Sequence, residues 1–442
     1  MWIKNMSLSP DLRKKLQEAL IHAFPTKASL EQMLAHELDK NIEVVAGGDN
    51  LETVVFNLIK RAESEGWVEK LVRAARKKNP GNFLLQAIAK ELLRNSYYKK
   101  KEVEPHAIKN STDSDYYNKS GLSHYNLGEY KSAIEDFSQA IKLNSNVANY
   151  YYNRGLSRYN LVEYRTAIED FNQAVKLNPN DADYYNMRGI CRRNLSEYQA
   201  AIEDYNQAIK INSKVANYYC NRGICRFSLG EYQAAIEDYN QAIKVDANNA
   251  NYYNRRGLSH YNLGEYQAAI EDYNQAIKLN PNDADYYYNL GRSLHDLGDY
   301  PGAIENYNQA IKLNPKGADY YYYRGWSLDD LEDYQGAIKD YNQAIQINPK
   351  DAFYYNNRAI IREKLNDNEG AIKDINRAIQ INPSNAQFYK NKAQLYENKS
   401  KRQEAILNYE EASNLYLRQG NLEEYQKVRD KIKKLNSPLW WL

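Results

Sequence analysis

The chain is poor in the features that announce most kinds of protein chemistry. Its 442 residues hold only three cysteines, Cys191, Cys220 and Cys225. Three cannot all pair, and a chain of this length does not depend on disulfides for its core, so a reducing, cytoplasmic setting is expected. No apolar run approaches the ~20 residues of a membrane-spanning helix. Met1–Ser7 carries one lysine and no apolar stretch, so no secretory signal is expected and no membrane partner. Neither sign of charge is in excess: 59 Lys and Arg against 57 Asp and Glu leave a formal charge of +2. Nucleic-acid binding needs a clustered basic face that displaces counterions, and none is expected here. None of the six histidines has a Cys or His partner at metal-ligand spacing. Phosphate loops, dinucleotide fingerprints and nucleophile elbows are missing, and Gly47-Gly48 has neither lysine nor strand beside it. The expectation is a chain with no catalytic residue, no metal and no cofactor.

Phenylalanine is also scarce, at 8 residues, while tyrosine reaches 42. So strong a preference for one aromatic points to a unit copied many times. The copies are found by period. Gly121, Gly155, Gly189, Gly223, Gly257, Gly291 and Gly325 recur every 34 residues, and Ala359 and Ala393 continue the series. Alanines follow in register, from Ala133 and Ala140 to Ala405 and Ala412, giving nine copies.

Each copy reads as two helices. The first begins near Ala-Asp-Tyr-Tyr, as at Ala284–Tyr287, and runs to a leucine such as Leu297. Gly128, Gly230, Gly264 and Gly298 then supply the left-handed residue that ends a helix. The second, such as Tyr300–Leu313, sets Ala303, Tyr307, Ala310 and Ile311 on one face, and prolines such as Pro179 and Pro281 stop it. With Gly or Ala at the eighth position, Ala at the twentieth and twenty-seventh and Pro at the thirty-second, residues 114–412 resemble the tetratricopeptide repeat family. The pattern departs at the eleventh position, where the family's usual Tyr is replaced by His124, Arg158, Arg192, Arg226 and His260. The resemblance implies an all-α fold, a right-handed α-solenoid of about nine repeats.

Arginine carries a second regularity. Arg154, Arg188, Arg222, Arg256, Arg324 and Arg358 precede the Gly or Ala position, and each has an aspartate sixteen residues later, from Asp170 to Asp374. In the sixth copy both are lost together, as Leu290 and Asn306; the first copy keeps Asp136 but has Ser120. Joint loss is what a partly buried ion pair requires, because an orphan buried charge is costly, so these charges read as structural.

What such an array offers is a groove. In the family resembled, the second, fifth, ninth, twelfth and thirteenth positions line the concave surface. Here that set supplies the candidate partner-binding residues Asn149, Tyr152, Tyr159 and Asn160, then Asn254, Tyr261 and Asn262, then Tyr288, Arg292 and Asp296, then Tyr322, Trp326, Asp329 and Asp330. Tyr, Trp and Asn combine rigid apolar area with hydrogen bonding, the usual chemistry of binding surfaces. Asp296, Asp329 and Asp330 are expected to favour a ligand carrying Lys or Arg. The lysine–asparagine clamp that some family members use for carboxylates is missing, since Asn254 and Leu258 occupy its positions.

The two ends lack the period. Past Ala412 the last helix runs through Leu415 and Arg418 to Gly420, and Asn421 with Glu424 signals a further helix striped by Leu422, Tyr425, Val428, Ile432 and Leu435. Residues 413–442 are thus the capping helix and tail that a stacked array needs, with Trp440-Trp441 expected to fold back on the cap. Residues 1–95 read as about six short helices in a compact bundle, with starts at Ser9-Pro10, Ser29 (with Gln32) and Asn50, a short turn or helix at Asn41–Ala46, and further helices over Trp67–Lys78 and Asn82–Leu93. Residues 96–113 are polar and read as a linker. The runs Leu16-Gln-Glu-Ala-Leu20, Ala23-Phe24-Pro25, Asn50-Leu-Glu52, Val54-Val-Phe56 and Asn79-Pro-Gly-Asn82 are similar to the bacterial effector-associated domain of type one. That resemblance implies a death-fold-like adaptor that associates with like bundles on a sensor or effector in bacterial signalling or conflict systems. The expected function is therefore a non-enzymatic adaptor: the bundle has a homotypic partner and the groove holds a protein or peptide. The alternative is an assembly or chaperone-like scaffold whose bundle serves as an oligomerisation tag.

Overall fold

The structure, a computed structural model, describes residues 8, 10–38, 40–41, 50–65, 67–79, 82, 84–88 and 113–437. Every regular element among them is helical, and the chain divides into two compact units, 1–180 and 181–442.

In the first unit, α1 (Pro10–Ala23), α2 (Lys27–Leu38), α3 (Leu51–Glu65) and α4 (Val68–Lys78) form the amino-terminal bundle. α1 packs on α3 and α2 on α4. Leu12, Leu16, Leu20, Leu30, Leu34, Val55, Leu58, Ile59 and Leu71 share one core, with 84–88 contributing Leu85 and Ile88. Each such side chain stabilises the bundle by roughly 1.5–3 kcal/mol on burial. Polar ties close the ends: Arg13 makes two hydrogen bonds to Glu63, at 2.7 and 2.9 Å, and the Asn79 amide donates to the Ala23 carbonyl at 2.7 Å. Asn50 caps α3 through the Thr53 amide. α2 begins earlier than its apolar pattern indicates. Thr26 and Ser29 cap it reciprocally, side chain to backbone, so Ser29 lies inside the first turn. The expected turn at 41–46, the linker beyond 95 and the Trp440-Trp441 tail lie largely or wholly outside the described residues.

The repeats form as their pattern predicts. The first helix of copy 6 is Ala284–Asp296 and its second is Tyr300–Leu313. The eighth-position glycine is a matter of space. A methyl on Gly223 would lie 2.8 Å from Cε1 of Tyr239, and one on Gly291 2.6 Å from Cε1 of Tyr307. Copy 8 carries Ala359 there because the facing residue is Ile375. The turn between the helices demands a left-handed residue in every copy. Gly128, Gly230, Gly264 and Gly298 meet it freely, but Val162, Ser196, Glu332, Asn366 and Ser400 take the same positive φ, between 57° and 65°.

Copies 1 and 2 belong to the first unit and copies 3–9 to the second. Within the second unit each second helix packs on the first helix of the next copy, and consecutive first helices also touch. Consecutive second helices make no comparable contact, so this stack bends toward its first helices and they line its inner face. The stack closes with Arg402–Arg418 and Leu422–Asn436, where Val428 and Ile432 are buried; Leu422, expected in that stripe, is 64% exposed.

Candidate interaction face of the repeats

Two layers of polar chemistry run through the copies, and they must be separated before a binding face can be identified. The deeper one is built from charge. All six expected Arg–Asp pairs form: Arg154–Asp170 at 2.7 Å, Arg188–Asp204, Arg222–Asp238, Arg324–Asp340 and Arg358–Asp374 at 2.6 Å, and Arg256–Asp272 at 2.5 Å. The aspartates are almost wholly buried. The departure at the eleventh position now has a reason. Arg158, Arg192, Arg226 and Arg362 bind the other oxygen of the same carboxylates, at 2.8–3.1 Å. His260 stands 3.9 Å from Asp272, and His124 binds Asp136 at 2.8 Å, so the first copy's aspartate has a partner after all. Burial pushes the Asp170, Asp204, Asp238 and Asp272 carboxyls up from the ordinary aspartate range, against the pull of the neighbouring cations. Desolvation therefore outweighs attraction, and these triads set geometry more than they add stability. Arg154, Arg222, Arg256, Arg324 and Arg358 also reach back one copy, as Arg222 does to Asn206 at 2.6 Å, which fixes the register of neighbouring repeats.

The second layer links first helices to one another. A residue in one copy pairs with the residue 35 further on, one position later in the next copy. Near the start of the helix a tyrosine hydroxyl donates to the preceding copy's Asp or Asn: Tyr218 to Asp183, Tyr252 to Asn217, Tyr320 to Asp285 and Tyr354 to Asp319, at 2.6–2.8 Å. In mid-helix, amides form rungs: Asn153 to Asn118, Asn221 to Asn186, Asn289 to Asn254 and Asn391 to Asn356, at 2.8–3.2 Å. Asn357 donates to the Tyr322 hydroxyl at 3.0 Å. At the end of the helix Asn160 donates to Tyr125, Tyr261 to Asp296, Lys364 to Asp329 and Asn398 to Glu363.

Many expected groove residues are therefore rungs. In the first unit Asn160 is one, while Tyr152 packs on Phe171 and Tyr159 on Tyr164, with ring centroids 5.8 and 5.7 Å apart; Asn149 is exposed. In the second unit Asn254 and Tyr322 accept rung bonds, and Asn262 donates to the Leu258 carbonyl of its own helix. Asp329 is engaged by Lys364 at 2.5 Å and Asp330 lies 3.6 Å from His295. Burial raises the Asp330 carboxyl and lowers the His295 imidazole.

The structure gathers a second group around Tyr323, which the pattern of lining positions omitted. Arg292 lies over the rings of Tyr261, Tyr288 and Tyr323, with its guanidinium carbon 4.5, 5.6 and 5.2 Å from their centroids. Its Nη2 donates to the Tyr261 hydroxyl at 3.0 Å, and that hydroxyl donates to Asp296. Burial and the Asp296 bond push the Tyr261 phenol up to about 12, so it stays protonated as this relay requires. Trp326 stacks on Tyr323 and meets His295 at 4.8 Å while 39% exposed, which makes it a large apolar surface open on the inner face. Arg193 and Lys364 stand at the twelfth and thirteenth positions of copies 3 and 8, from which no candidate was drawn, whereas Arg255 and Tyr323, at the sixth, fall outside the lining set. Comparing Cys220 with Arg255 and Tyr288 with Tyr323, each 35 residues ahead, is the signal that reveals the latter two.

Among the described residues, no group of three His, Cys, Asp or Glu is placed to hold a metal, and no helix is long and apolar enough to cross a membrane. Comparison with known families gives two kinds of match. Residues 6–93 match the model of effector-associated domain 1. Residues 121–162, 226–264 and 259–298 match one tetratricopeptide-repeat model, 152–216 and 288–352 a second, and 354–385 a third. No curated protein matches the chain. Among solved structures, YrrB, described as a TPR protein with an unusual peptide-binding site, is 23% identical over 41% of this chain and 94% of its own, with a TM-score of 0.37. Yeast Tom70 is 15% identical over 79% and 92%, with a TM-score of 0.43. A tetratricopeptide repeat protein of Parabacteroides merdae is 19% identical over 56% and 98%, with a TM-score of 0.47.

Proposed function

We propose that this chain, which belongs to the tetratricopeptide-repeat family and carries an effector-associated domain 1 ahead of its repeats, is an adaptor that joins two proteins. The observation that carries the reading is the pairing of two unlike modules. The bundle has a closed core of its own, whereas the repeats leave an inner face on which Trp326 is 39% exposed and Arg292, though packed on tyrosine rings, has no carboxylate at ion-pair distance among the described residues. A repeat stack is suited to this work because its lining is held rigid by rungs, so little ordering entropy is lost when a partner binds. On this reading the bundle associates with a like bundle on an effector or sensor, and the inner face holds a second protein or an extended peptide from it.

The test uses the full chain and a version beginning at residue 113. Each is passed over an immobilised protein that carries another effector-associated domain of the same type. The adaptor reading expects retention of the full chain alone. Equal retention of both, or of neither, contradicts it and leaves a scaffold whose bundle has another role. For the inner face, a partner recovered by pull-down is titrated against Trp326→Ala, which should weaken binding by about 2 kcal/mol, as loss of an interface anchor commonly does.

A further inference from the structure

The arginines on the first helices of the repeats fall into two sets. Those at the seventh and eleventh positions are matched to buried aspartates. Arg193, Arg255 and Arg292 are not: each is half-buried on a first helix of copies 3, 5 or 6, and none has a carboxylate within ion-pair distance among the described residues. Arg193 donates only to the Asn221 rung, at 3.0 Å. Arg255 stands where an asparagine would complete a rung, but the facing residue is Cys220, a weak acceptor. Arg292 has only a phenol and ring faces.

A second observation coincides with the first. Among the described residues, the buried side-chain polar atoms lacking a hydrogen-bond partner are Nε of Arg255, Nε of Arg292 and the hydroxyls of Tyr205 and Tyr307. All four belong to copies 3, 5 and 6, the copies that carry the unmatched arginines. Buried polar groups are rarely left unsatisfied, and the two arginine atoms belong to the first helices that line the inner face, whereas the two tyrosines are wholly buried on second helices behind it. The acids on these first helices do not supply a partner: Asp183, Asp285 and Asp296 each accept a tyrosine hydroxyl, and none stands within ion-pair distance of these arginines. Between the guanidinia run Ile190, Ile224 and Leu258, the ninth-position residues of copies 3–5, all partly exposed.

We propose that the inner face of copies 3–6 binds an extended acidic peptide segment, whose carboxylates meet Arg193, Arg255 and Arg292 and whose aliphatic side chains lie on Ile190, Ile224 and Leu258. This rests on the reading of the inner face as a binding surface and names the chemistry of what it holds. It replaces the expectation of a basic ligand, because Asp329 already has Lys364 and Asp296 already has Tyr261. Guanidinium–carboxylate contacts suit such a segment, being directional and largely desolvated there.

The experiment measures fluorescence anisotropy of two labelled peptides, one repeating Glu-Leu-Glu-Ser and the other Lys-Leu-Lys-Ser, titrated with the full chain. The acidic peptide should bind and the basic one should not. Arg255→Gln with Arg292→Gln should weaken the acidic peptide at least about tenfold, and Arg255→Gln alone, which disturbs neither a buried acid nor a ring stack, should weaken it less while leaving the melting curve near that of the parent. Arg377→Gln, an exposed arginine on a second helix, should change nothing. Equal binding of the basic peptide overturns the inference, as does binding of the acidic peptide that ignores the double variant or falls equally with Arg377→Gln. If neither peptide binds but a recovered partner still depends on Trp326, the acidic inference falls and the binding face stands. If that partner ignores Trp326 and the arginine pair alike, both fall.

Discussion

Copies 4 and 6 solve the same packing problem by opposite means. In copy 4 the core between the helices holds Asp238 clasped by Arg222 and Arg226, at 2.6 and 3.1 Å. In copy 6 the corresponding residues are Asn306, Leu290 and Leu294. Leu290 is buried against Ala269, Ile270 and Tyr273, and the Asn306 amide donates to the Gly302 carbonyl of its own helix at 2.8 Å. The helices span equivalent residues in both, and the aromatic at the twenty-fourth position, Tyr239 or Tyr307, is fully buried in both. Buried charge is thus dispensable provided all of it leaves together. The comparison also sorts the remaining arginines: one that persists without an acid, such as Arg292, does not belong to the triads between the helices.

The largest effect that could break this comparison comes from removing one member only. Asp238→Ala strands two guanidinia and should cost about 3–5 kcal/mol, whereas Asn306→Ala loses a single local hydrogen bond and should cost about 1 kcal/mol. Urea titrations of the two variants check the ratio; similar losses would mean that the triad is not coupled. Gly223→Ala and Gly291→Ala come next. Both push a methyl against a buried tyrosine ring, 2.8 or 2.6 Å away, so each should lose about 1–3 kcal/mol whatever the charge content of its copy. A thermal melt that tolerated one and not the other would show that the two copies do not share this slot. Val162→Gly works in the opposite direction. Val162 sits at φ 65° and is 66% exposed, so glycine relieves backbone strain with little packing lost. The melting temperature should rise, with a gain of about 1 kcal/mol.

The smallest effect is one of pH. Copy 6 carries His295 where copy 4 has Phe227, and burial among Trp326, Tyr300 and Ser327 lowers its pKa. A base whose folded pKa is depressed contributes stability above its unfolded value, ~6.5, and loses it as pH falls through the folded one. His295→Gln should therefore flatten the fall in melting temperature on acidification from neutrality. An unchanged slope would remove this histidine from the account. The buried aspartates act in the other direction. Their raised pKa values mean that their contribution is fully present at low pH and lost as pH rises, so they do not make the array acid-labile.

Much of this was legible in the sequence because a repeat shows the same decision nine times. The joint change to Leu290 and Asn306 exposed a pair that no single copy could have revealed. Helix limits followed from glycine and proline, and the core from alanine and tyrosine spacing. The binding face was less legible. Lining positions taken one copy at a time treat Asn254, Tyr322 and Asp329 as available, yet their partners lie 35 residues away in the next copy. The cap of α2 was hidden for a similar reason: Thr26 and Ser29 are both good capping residues, and only the backbone shows which stands at the end.

The claim that the charges between the helices are structural, and separable from those on the inner face, is tested most directly by a triple change. Arg222→Leu, Arg226→Leu and Asp238→Asn together give copy 4 the residues of copy 6. Measured by urea denaturation beside Asp238→Ala, the triple variant should stand close to the parent and well above the single one, with binding at the inner face intact. If the triple variant instead loses at least as much stability as Asp238→Ala alone, the triad is not an interchangeable unit and the division of the arginines into two sets fails.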